Sequence, residues 1–277
     1  MADKIKLILT DLDGTLLHSG SHQVSTETLA AGEFNRPYFR RIKQLLAERG
    51  IAFAVVTGKQ TERVGEVLGA DSQDVWILGD SASRITYNGE VKYQSLIDNA
   101  LGLQVIATLE AIQPDETIIA CTPTAAYILE TRPEFERIGV RRSYAVVKEI
   151  SDFKQIKEDF VKITVLDVKG RAFETIKGLS QYQDRLYLVP SEPMWIDITD
   201  YDVHKGTTVR RLQQLLGVTK AETIAFGDGY NDLEMFAEAG TTYAMANAFP
   251  EVKAAATHIA PSNDDDGVLK TIEKLLQ

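Results

Sequence analysis

Cysteine, basic charge and long apolar runs are all scarce in this 277-residue chain. Its single cysteine, Cys121, excludes an internal disulfide and favours a reducing compartment, and its apolar neighbours predict a core position rather than a nucleophile. The formal net charge is -10, whereas general binders of nucleic acid or anionic membranes need a basic surface. With no run of membrane-spanning length and no apolar segment at the N-terminus, we expect a cytoplasmic protein.

The first and last thirds of the chain alternate short, wholly apolar segments with segments of helical spacing. Strands are predicted at 5–9, 51–56, 75–78, 223–226, 243–245 and 258–260. Helices are predicted at 38–46, 61–68, 205–216, 233–239 and 268–276. Strands that are apolar on both faces and alternate with helices indicate a parallel sheet covered by helices. This pattern predicts an α/β fold.

The middle of the chain has a different pattern, with more prolines and less regular alternation. Strands are predicted at 117–120, 126–129, 162–167 and 185–189, and helices at 101–112 and 172–182. We therefore predict a core formed by residues 1–91 and 199–277, with an inserted α+β domain at 92–198. The acidic run 264–266 is typical of a solvated turn.

Two carboxylates, Asp11 and Asp13, follow the first predicted strand and are followed by Gly14. Strand geometry would turn both side chains to the same face, and two like charges that lie close together resist ionisation. A cation is therefore expected beside them, either a divalent metal or a lysine. Taken alone, an Asp-x-Asp-Gly run is equally consistent with a structural turn.

Three later segments also fall at the ends of predicted strands or at the starts of helices, where open α/β sheets bind ligands. Thr57 and Gly58 offer a hydroxyl and a backbone N–H to a phosphate oxygen at the start of a helix. Lys205 begins another predicted helix. Asp228 and Asp232 lie in a glycine-rich loop after a strand, and two more carboxylates again need a cation.

In chain order these segments read DLDGT, VVTGK, HKG and GDGYND, and the order resembles the haloacid dehalogenase superfamily of phosphohydrolases. The chain is most similar to the Cof-like branch, because an Asn-Gly element at 85–89, an apolar-acidic strand at 195–198 and runs at 244–248 and 262–268 also match. The resemblance covers nearly the whole chain. It implies a Rossmann-like parallel-sheet core with an α+β cap inserted between the second and third motifs.

Carried onto the matching positions, the resemblance implies a phosphatase that uses Mg²⁺ and acts on small phosphorylated metabolites, such as sugar phosphates or cofactor precursors. Asp11 would be the nucleophile that forms an aspartyl-phosphate, and Asp13 would be the general acid and base. The implied catalytic residues are Asp11, Asp13, Thr57 and Lys205. The implied phosphate-binding residues are Leu12, Thr57, Gly58, Lys205 and Asn231. The implied Mg²⁺ ligands are Asp11, Asp13, Asp228 and Asp232.

Two other functions fit the same residues. A phosphotransferase or mutase would pass the phosphoryl group to an alcohol instead of water. A non-catalytic regulator that binds a phosphorylated metabolite is less expected, since a retired site has no physical reason to keep four carboxylates around a metal. We expect no nucleic-acid or membrane partner and a monomer or small homo-oligomer.

The residues that select the organic part of the substrate are harder to predict. Rim candidates are Asn88, Arg171, Glu192, Met194 and Trp195, although packing explains the last two equally well. His18 and His22 follow the first motif and are expected to be exposed loop residues. Lys59 stands where many relatives have arginine, and the stretch 25–38 is longer than expected.

Overall fold

The computed structural model describes residues 5–19, 32–192 and 194–277, and two β-sheets organise them. The strands are β1 (Leu7–Thr10), β2 (Ala52–Val56), β3 (Trp76–Gly79), β4 (Arg84–Tyr87), β5 (Glu90–Gln94), β6 (Thr117–Cys121), β7 (Ala126–Leu129), β8 (Val147–Ile150), β9 (Lys162–Leu166), β10 (Leu186–Glu192), β11 (Trp195–Asp200), β12 (Thr223–Gly227), β13 (Thr241–Met245) and β14 (His258–Ala260). The α-helices are α1 (Arg36–Glu48), α2 (Thr61–Leu68), α3 (Asn99–Ile112), α4 (Glu134–Ser143), α5 (Ala172–Thr175), α6 (Lys205–Leu216), α7 (Leu233–Ala237), α8 (Pro250–Ala255) and α9 (Gly267–Leu276).

The larger sheet has eight strands in the order β14-β13-β12-β1-β2-β3-β4-β5. Its first six strands run parallel, and β4 and β5 add an antiparallel edge. β1 lies between β12 and β2, with Leu7 opposite both Thr223 and Ala52. The carboxyl ends of these three central strands therefore meet at one edge of the sheet, and the predicted parallel-sheet core is confirmed.

The central strands of the larger sheet are apolar and buried on both faces. Leu7, Leu9 and Val55 are fully buried, and Phe39 and Ile42 of α1 belong to the same hydrophobic core. This continuous apolar character is what the sequence pattern predicted for a parallel sheet.

The smaller sheet has six strands in the order β10-β11-β9-β6-β7-β8, antiparallel except for the β7–β8 pair. Its strands alternate in character: Ile163 and Val165 of β9 are buried in a core with Val105 of α3, whereas Lys162 and Thr164 lie on the opposite face. The predicted domain boundaries at 91/92 and 198/199 fall inside β5 and β11, and the division of the chain into two domains stays a prediction.

Several elements differ from the sequence prediction. Helix α4 and strand β8 were not predicted. The sequence of α4, EFERIGVRRS, has too few apolar residues to show a helical stripe. The segment 172–182 is a single turn of α-helix followed by a 3₁₀ helix, Ile176–Tyr182. Cys121 is buried as expected, and burial raises the pKa of its thiol to about 12. Among the described residues, no helix is both long and apolar enough to cross a bilayer.

Candidate active site

A buried lysine joins two of the predicted catalytic segments. Asp11 directly follows β1, and its backbone N–H donates to the carbonyl of Phe226 on β12, 3.0 Å away. Lys205 begins α6, and its Nζ donates to Asp11 Oδ1 at 2.8 Å and to Asp232 Oδ1 at 2.6 Å. The Lys205 side chain is only 4% exposed. One cation therefore lies between two carboxylates that burial would otherwise make costly to ionise.

The loop after β12 is folded around Asp232. Its Oδ2 accepts the backbone N–H groups of Asp228 at 2.9 Å and Gly229 at 3.0 Å. Gly227 must be glycine here, because a Cβ at that position would lie 2.5 Å from Asp232 Cγ. The carboxylate of Asp232 is thus fully engaged by this loop and by Lys205.

The first and last motif loops interlock at Asp228. Thr15 Oγ1 donates to Asp228 Oδ1 at 2.7 Å, and Asn247 Nδ2 donates to the carbonyl of Gly14 at 2.7 Å. Gly14 has φ +71°, and a Cβ there would lie 2.3 Å from Asp228 Oδ2. Glycine at this position therefore allows both the turn and the close approach of the second carboxylate.

The side chains of Asp11, Asp228 and Asp232 form a cluster whose ligand oxygens all lie within 4.8 Å of one another. Carboxylate oxygens at this spacing are the donors that Mg²⁺ prefers in proteins. The side chain of Asp13 lies apart from the cluster: it is 60% exposed, and its Oδ2 is 3.0 Å from Lys59 Nζ. The structure therefore brings three of the four predicted metal ligands together through their side chains, and Asp13 could join them only through its backbone.

Burial dominates the electrostatics of the cluster. It raises the pKa of Asp11 well above the ordinary value, Lys205 counteracts this, and Asp232 and Asp228 raise that pKa further. The pKa of Asp228 is raised to about 6, again chiefly by burial, with the Thr15 hydrogen bond acting in the opposite direction. For Lys205, burial favours the neutral amine, but Asp11 and Asp232 outweigh it and raise the lysine pKa. The cluster has an excess of negative charge that a divalent cation would neutralise.

The predicted phosphate-binding segment lies beside this cluster. Thr57 follows β2, and its backbone N–H donates to Leu78 of β3, while its hydroxyl accepts the N–H of Lys59 at 3.2 Å. Thr57, Gly58 and Asn231 all line the cavity described next. The side chain of Leu12 is fully buried, so only its backbone could contact a phosphate.

A cavity of about 250 Å³ opens between the carboxyl edge of the larger sheet and one face of the smaller sheet. The predicted residues that line it are Asp11, Asp13, Thr57, Gly58, Asp228 and Asn231. Lining residues for which no role was predicted are Gln60, Ser143, Tyr144, Lys162, Thr164, Asp197 and Phe249, although Asp197 belongs to the matched strand at 195–198. For the residues of β9 and β11, the sequence did contain a signal. Polar residues alternate with apolar ones in these strands, and such a strand presents one polar face.

The rim candidates have mixed outcomes. Trp195 lines the cavity, whereas Met194 does not. The side-chain oxygen of Asn88 accepts the backbone N–H of Asp74 at 2.8 Å. Arg171 forms ion pairs with Asp167 and Asp115. Neither residue reaches the site. The side chain of Glu192, like His22, lies outside the described part of the chain.

The expectation that His18 is exposed was wrong. Its Nε2 lies 2.9 Å from Asp266 Oδ1, and its side chain is 12% exposed. Asp266 also accepts from Asn35 Nδ2 at 2.9 Å, and Asp264 accepts the N–H of Ser19 at 2.7 Å. The acidic run is therefore a structural turn that binds the segments around the first motif, not merely a solvated one.

Known proteins with similar sequences indicate the family of this chain. The family model for haloacid dehalogenase-like hydrolases matches residues 8–272. This chain belongs to that family. The hydrolase is 29% identical to 5-amino-6-(5-phospho-D-ribitylamino)uracil phosphatase YbjI of Escherichia coli (strain K12), over 99% of this chain and 97% of the relative. It is 26% identical to HMP-PP phosphatase of Klebsiella pneumoniae (strain 342), over 94% and 90% of the two chains.

Among solved structures, the hydrolase is similar to SMU.1108c from Streptococcus mutans UA159, with a TM-score of 0.89 and 28% identity. The match covers 98% of this chain and 99% of that one. The predicted family, the α/β fold and the prediction of a phosphatase are confirmed by these findings.

Proposed function

We propose that this hydrolase is a Mg²⁺-dependent phosphatase that cleaves small phosphorylated metabolites through an aspartyl-phosphate on Asp11. The observation that carries the proposal is the cluster of Asp11, Asp228 and Asp232. Lys205 bonds Asp11 and Asp232, and Asp11 and Asp228 line the cavity. Phosphate monoesters are among the slowest compounds to hydrolyse, and enzymes accelerate the reaction by up to ~10²¹-fold. Converging charges of this kind supply the positioning and electrostatic stabilisation that such a reaction needs.

The donor set fits Mg²⁺. Asp232 has both oxygens engaged, by Lys205 and by two backbone N–H groups, and is best suited to support the ion indirectly. Asp11 and Asp228 each use one oxygen, with Lys205 and Thr15, which leaves their second oxygens to hold the ion. The bound ion would neutralise the substrate's negative charge and polarise the phosphoryl group.

The chemistry assigned to the chain's own residues has two steps. Asp11 attacks phosphorus, so that an Asp11–phosphorus bond forms and the ester bond breaks, while Asp13 gives a proton to the departing oxygen. Water then attacks phosphorus, the Asp11–phosphorus bond breaks so that phosphate leaves and the Asp11 carboxylate is restored, and Asp13 takes the proton from the water. Lys205 favours the ionised form of Asp11 against the effect of burial, and Thr57, Gly58 and Asn231 hold the phosphoryl oxygens.

The position of Asp13 suits this role. Its side chain is largely exposed at the cavity, beside Lys59, whereas Asp11 is buried at the floor. An acid that must serve a leaving group has to face the organic part of the substrate, and a nucleophile has to face the phosphorus. The two carboxylates are therefore separated as the two roles require.

A small substrate is favoured by the cavity, since its volume of about 250 Å³ is just below the usual range of ligand sites, roughly 300–1,000 Å³. The names of the Escherichia coli and Klebsiella pneumoniae relatives also specify small phosphorylated compounds. We further propose that this phosphatase works in the cytoplasm, in keeping with its single buried thiol.

The test is phosphate release from a panel of sugar phosphates, nucleotides and phosphorylated cofactor precursors, with Mg²⁺ and with a chelator. Release that requires the metal is the expected result. Release that persists in chelator would contradict the metal requirement. A phosphorylated alcohol in place of free phosphate would identify a phosphotransferase, and the absence of any turnover, with Mg²⁺ still bound, would favour a regulator.

A further inference from the structure

The wall of the cavity that the smaller sheet forms contains three polar side chains that the proposed reaction does not use. Lys162 and Thr164 of β9 and Asp197 of β11 lie on the face of the smaller sheet that lines the cavity. Asp197 is directly opposite Thr164 in the strand register. The intervening residues, Ile163 and Ile196, are buried on the other face. Lys162 and Asp197 are charged residues on this face, and burying charged side chains costs free energy. Their presence here therefore suggests a function.

Lys162 connects this face to the proposed phosphate-binding loop. Its side chain is 3% exposed, and Nζ donates to the carbonyl of Gly58 at 2.8 Å and to Ser81 Oγ at 3.2 Å. Its third contact is Asp197 Oδ1, at 3.4 Å. All three N–H donors of the ammonium group therefore have protein acceptors. Lys162 is suited to hold the residues around it in position, not to bind a ligand.

The turn that supplies Ser81 is held in an unfavourable backbone conformation. Asp80, Ser81 and Ala82 have φ values of +56°, +55° and +68° in succession. This conformation is unfavourable for a residue with a Cβ, and strain of this kind persists where the surrounding structure requires a particular position. Here it places a hydroxyl next to both Lys162 and Gly58.

Asp197 lines the cavity, and its two carboxylate oxygens have different surroundings. Oδ1 accepts from Thr164 Oγ1 at 2.9 Å and faces Lys162. Oδ2 lies beside Gly58, where a Cβ on the glycine would be 4.0 Å away, and no donor among the described residues bonds to it. A carboxylate oxygen close to a phosphate-binding loop would repel the substrate unless the substrate offers it a hydrogen-bond donor.

We infer that Asp197 selects phosphate monoesters whose organic part carries a hydroxyl or N–H donor close to the phosphate, and that Lys162 positions Asp197 for this contact. This inference rests on the proposed function. Trp195 and Tyr144 line the same side of the cavity and provide apolar walls around the donor. A hydrogen bond between a neutral donor and an ionised acceptor is strong enough to discriminate substrates when the site excludes water.

The test compares two groups of substrates: sugar phosphates and amine-bearing phosphates, which carry donors, and p-nitrophenyl phosphate and short alkyl phosphates, which carry none. The key variant is Asp197→Asn, since the amide oxygen can still accept from Thr164 while the NH₂ group replaces the acceptor beside Gly58. The matched control is Asp184→Asn, an exposed carboxylate outside the cavity. Asp197→Ala serves as a second variant, and thermal unfolding checks that each protein is folded.

We expect Asp197→Asn to lower kcat/KM for donor-bearing substrates about 10- to 100-fold more than for donor-lacking ones, and Asp184→Asn to leave the ratio unchanged. Equal losses for both groups, or an unchanged ratio in both Asp197 variants, would overturn the inference while leaving the phosphatase intact. No release from any compound by the wild-type protein would overturn the proposed function and this inference with it.

Discussion

Two lysines of the candidate site, Lys205 and Lys162, are buried, and their partners differ. Lys205, from the larger sheet's side, contacts two carboxylates at 2.8 and 2.6 Å. Lys162, from the smaller sheet, contacts one carboxylate at 3.4 Å and otherwise a backbone carbonyl and a hydroxyl. Both are almost completely buried, so exposure does not distinguish them.

The difference shows how the same side chain can serve two purposes. The carboxylates at Lys205 are those that would react and bind metal, so its charge acts directly on the chemistry. The partners of Lys162 come from two sheets, so its hydrogen bonds fix the position of one wall relative to the other. Variants of the two lysines should therefore affect different kinetic constants.

Lys205→Met should cause the larger loss of the two. We expect kcat to fall about 10²- to 10³-fold, because Asp11, Asp228 and Asp232 then lose the cation among them. The measurement is kcat at saturating Mg²⁺ and substrate, with circular dichroism as the check on folding. A kcat within a few-fold of the wild-type value would show that the charge of Lys205 is not used in the reaction.

A glycine pair separates backbone strain from damage to the metal site. Gly14→Ala and Gly50→Ala both place a side chain at positive φ, +71° and +65°, but only Gly14 has Asp228 within reach of the new Cβ. We expect Gly14→Ala to weaken Mg²⁺ activation by about 10- to 100-fold and Gly50→Ala to leave it unchanged. The Mg²⁺ concentration at half-maximal activity is the measurement. Equal effects of the two substitutions would show that strain alone is responsible.

Lys162→Met should have a smaller effect, and on a different constant. We expect KM to rise about three- to tenfold with little change in kcat, because the hydrogen bonds that it removes position the cavity wall and do not act on the reacting atoms. Steady-state kinetics with a donor-bearing substrate provide the measurement. A fall in kcat with KM unchanged would place Lys162 in the chemical step and remove the distinction between the two lysines.

The smallest effect concerns pH. The pKa of Asp228 is raised from 3.8 to about 6 by burial, so its carboxyl holds a proton below about pH 6. In the metal-free protein this group stabilises the fold at low pH, and that contribution is lost as pH rises from 3.8 to about 6. Mg²⁺ must displace the proton, so the rise in Tm that Mg²⁺ causes should be larger at about pH 7 than at about pH 5. An equal rise at both values would contradict the assignment of Asp228 as a ligand.

The site residues contributed by the larger sheet could be predicted from the sequence, because they directly follow apolar strands. Asp11 after β1, Thr57 after β2 and Asp228 after β12 are brought together by any parallel sheet in which these strands are neighbours. Asp197 belongs to the matched strand at 195–198, but no role was predicted for it or for Lys162, because such a role depends on which face of an antiparallel sheet meets the core. Alternation assigns them to one face, but only the tertiary arrangement shows that this face closes the cavity.

The central claim is that Asp11 is the nucleophile, and its most direct test is the rate of Mg²⁺-dependent phosphate release by the wild type, Asp11→Asn and the surface control Asp184→Asn on the best substrate. Asn keeps the size of Asp11 but cannot form the aspartyl-phosphate. We predict that Asp11→Asn stays folded and loses at least about 10³-fold in kcat, whereas Asp184→Asn retains wild-type activity. An Asp11→Asn enzyme whose kcat stays within tenfold of the wild type would contradict the account.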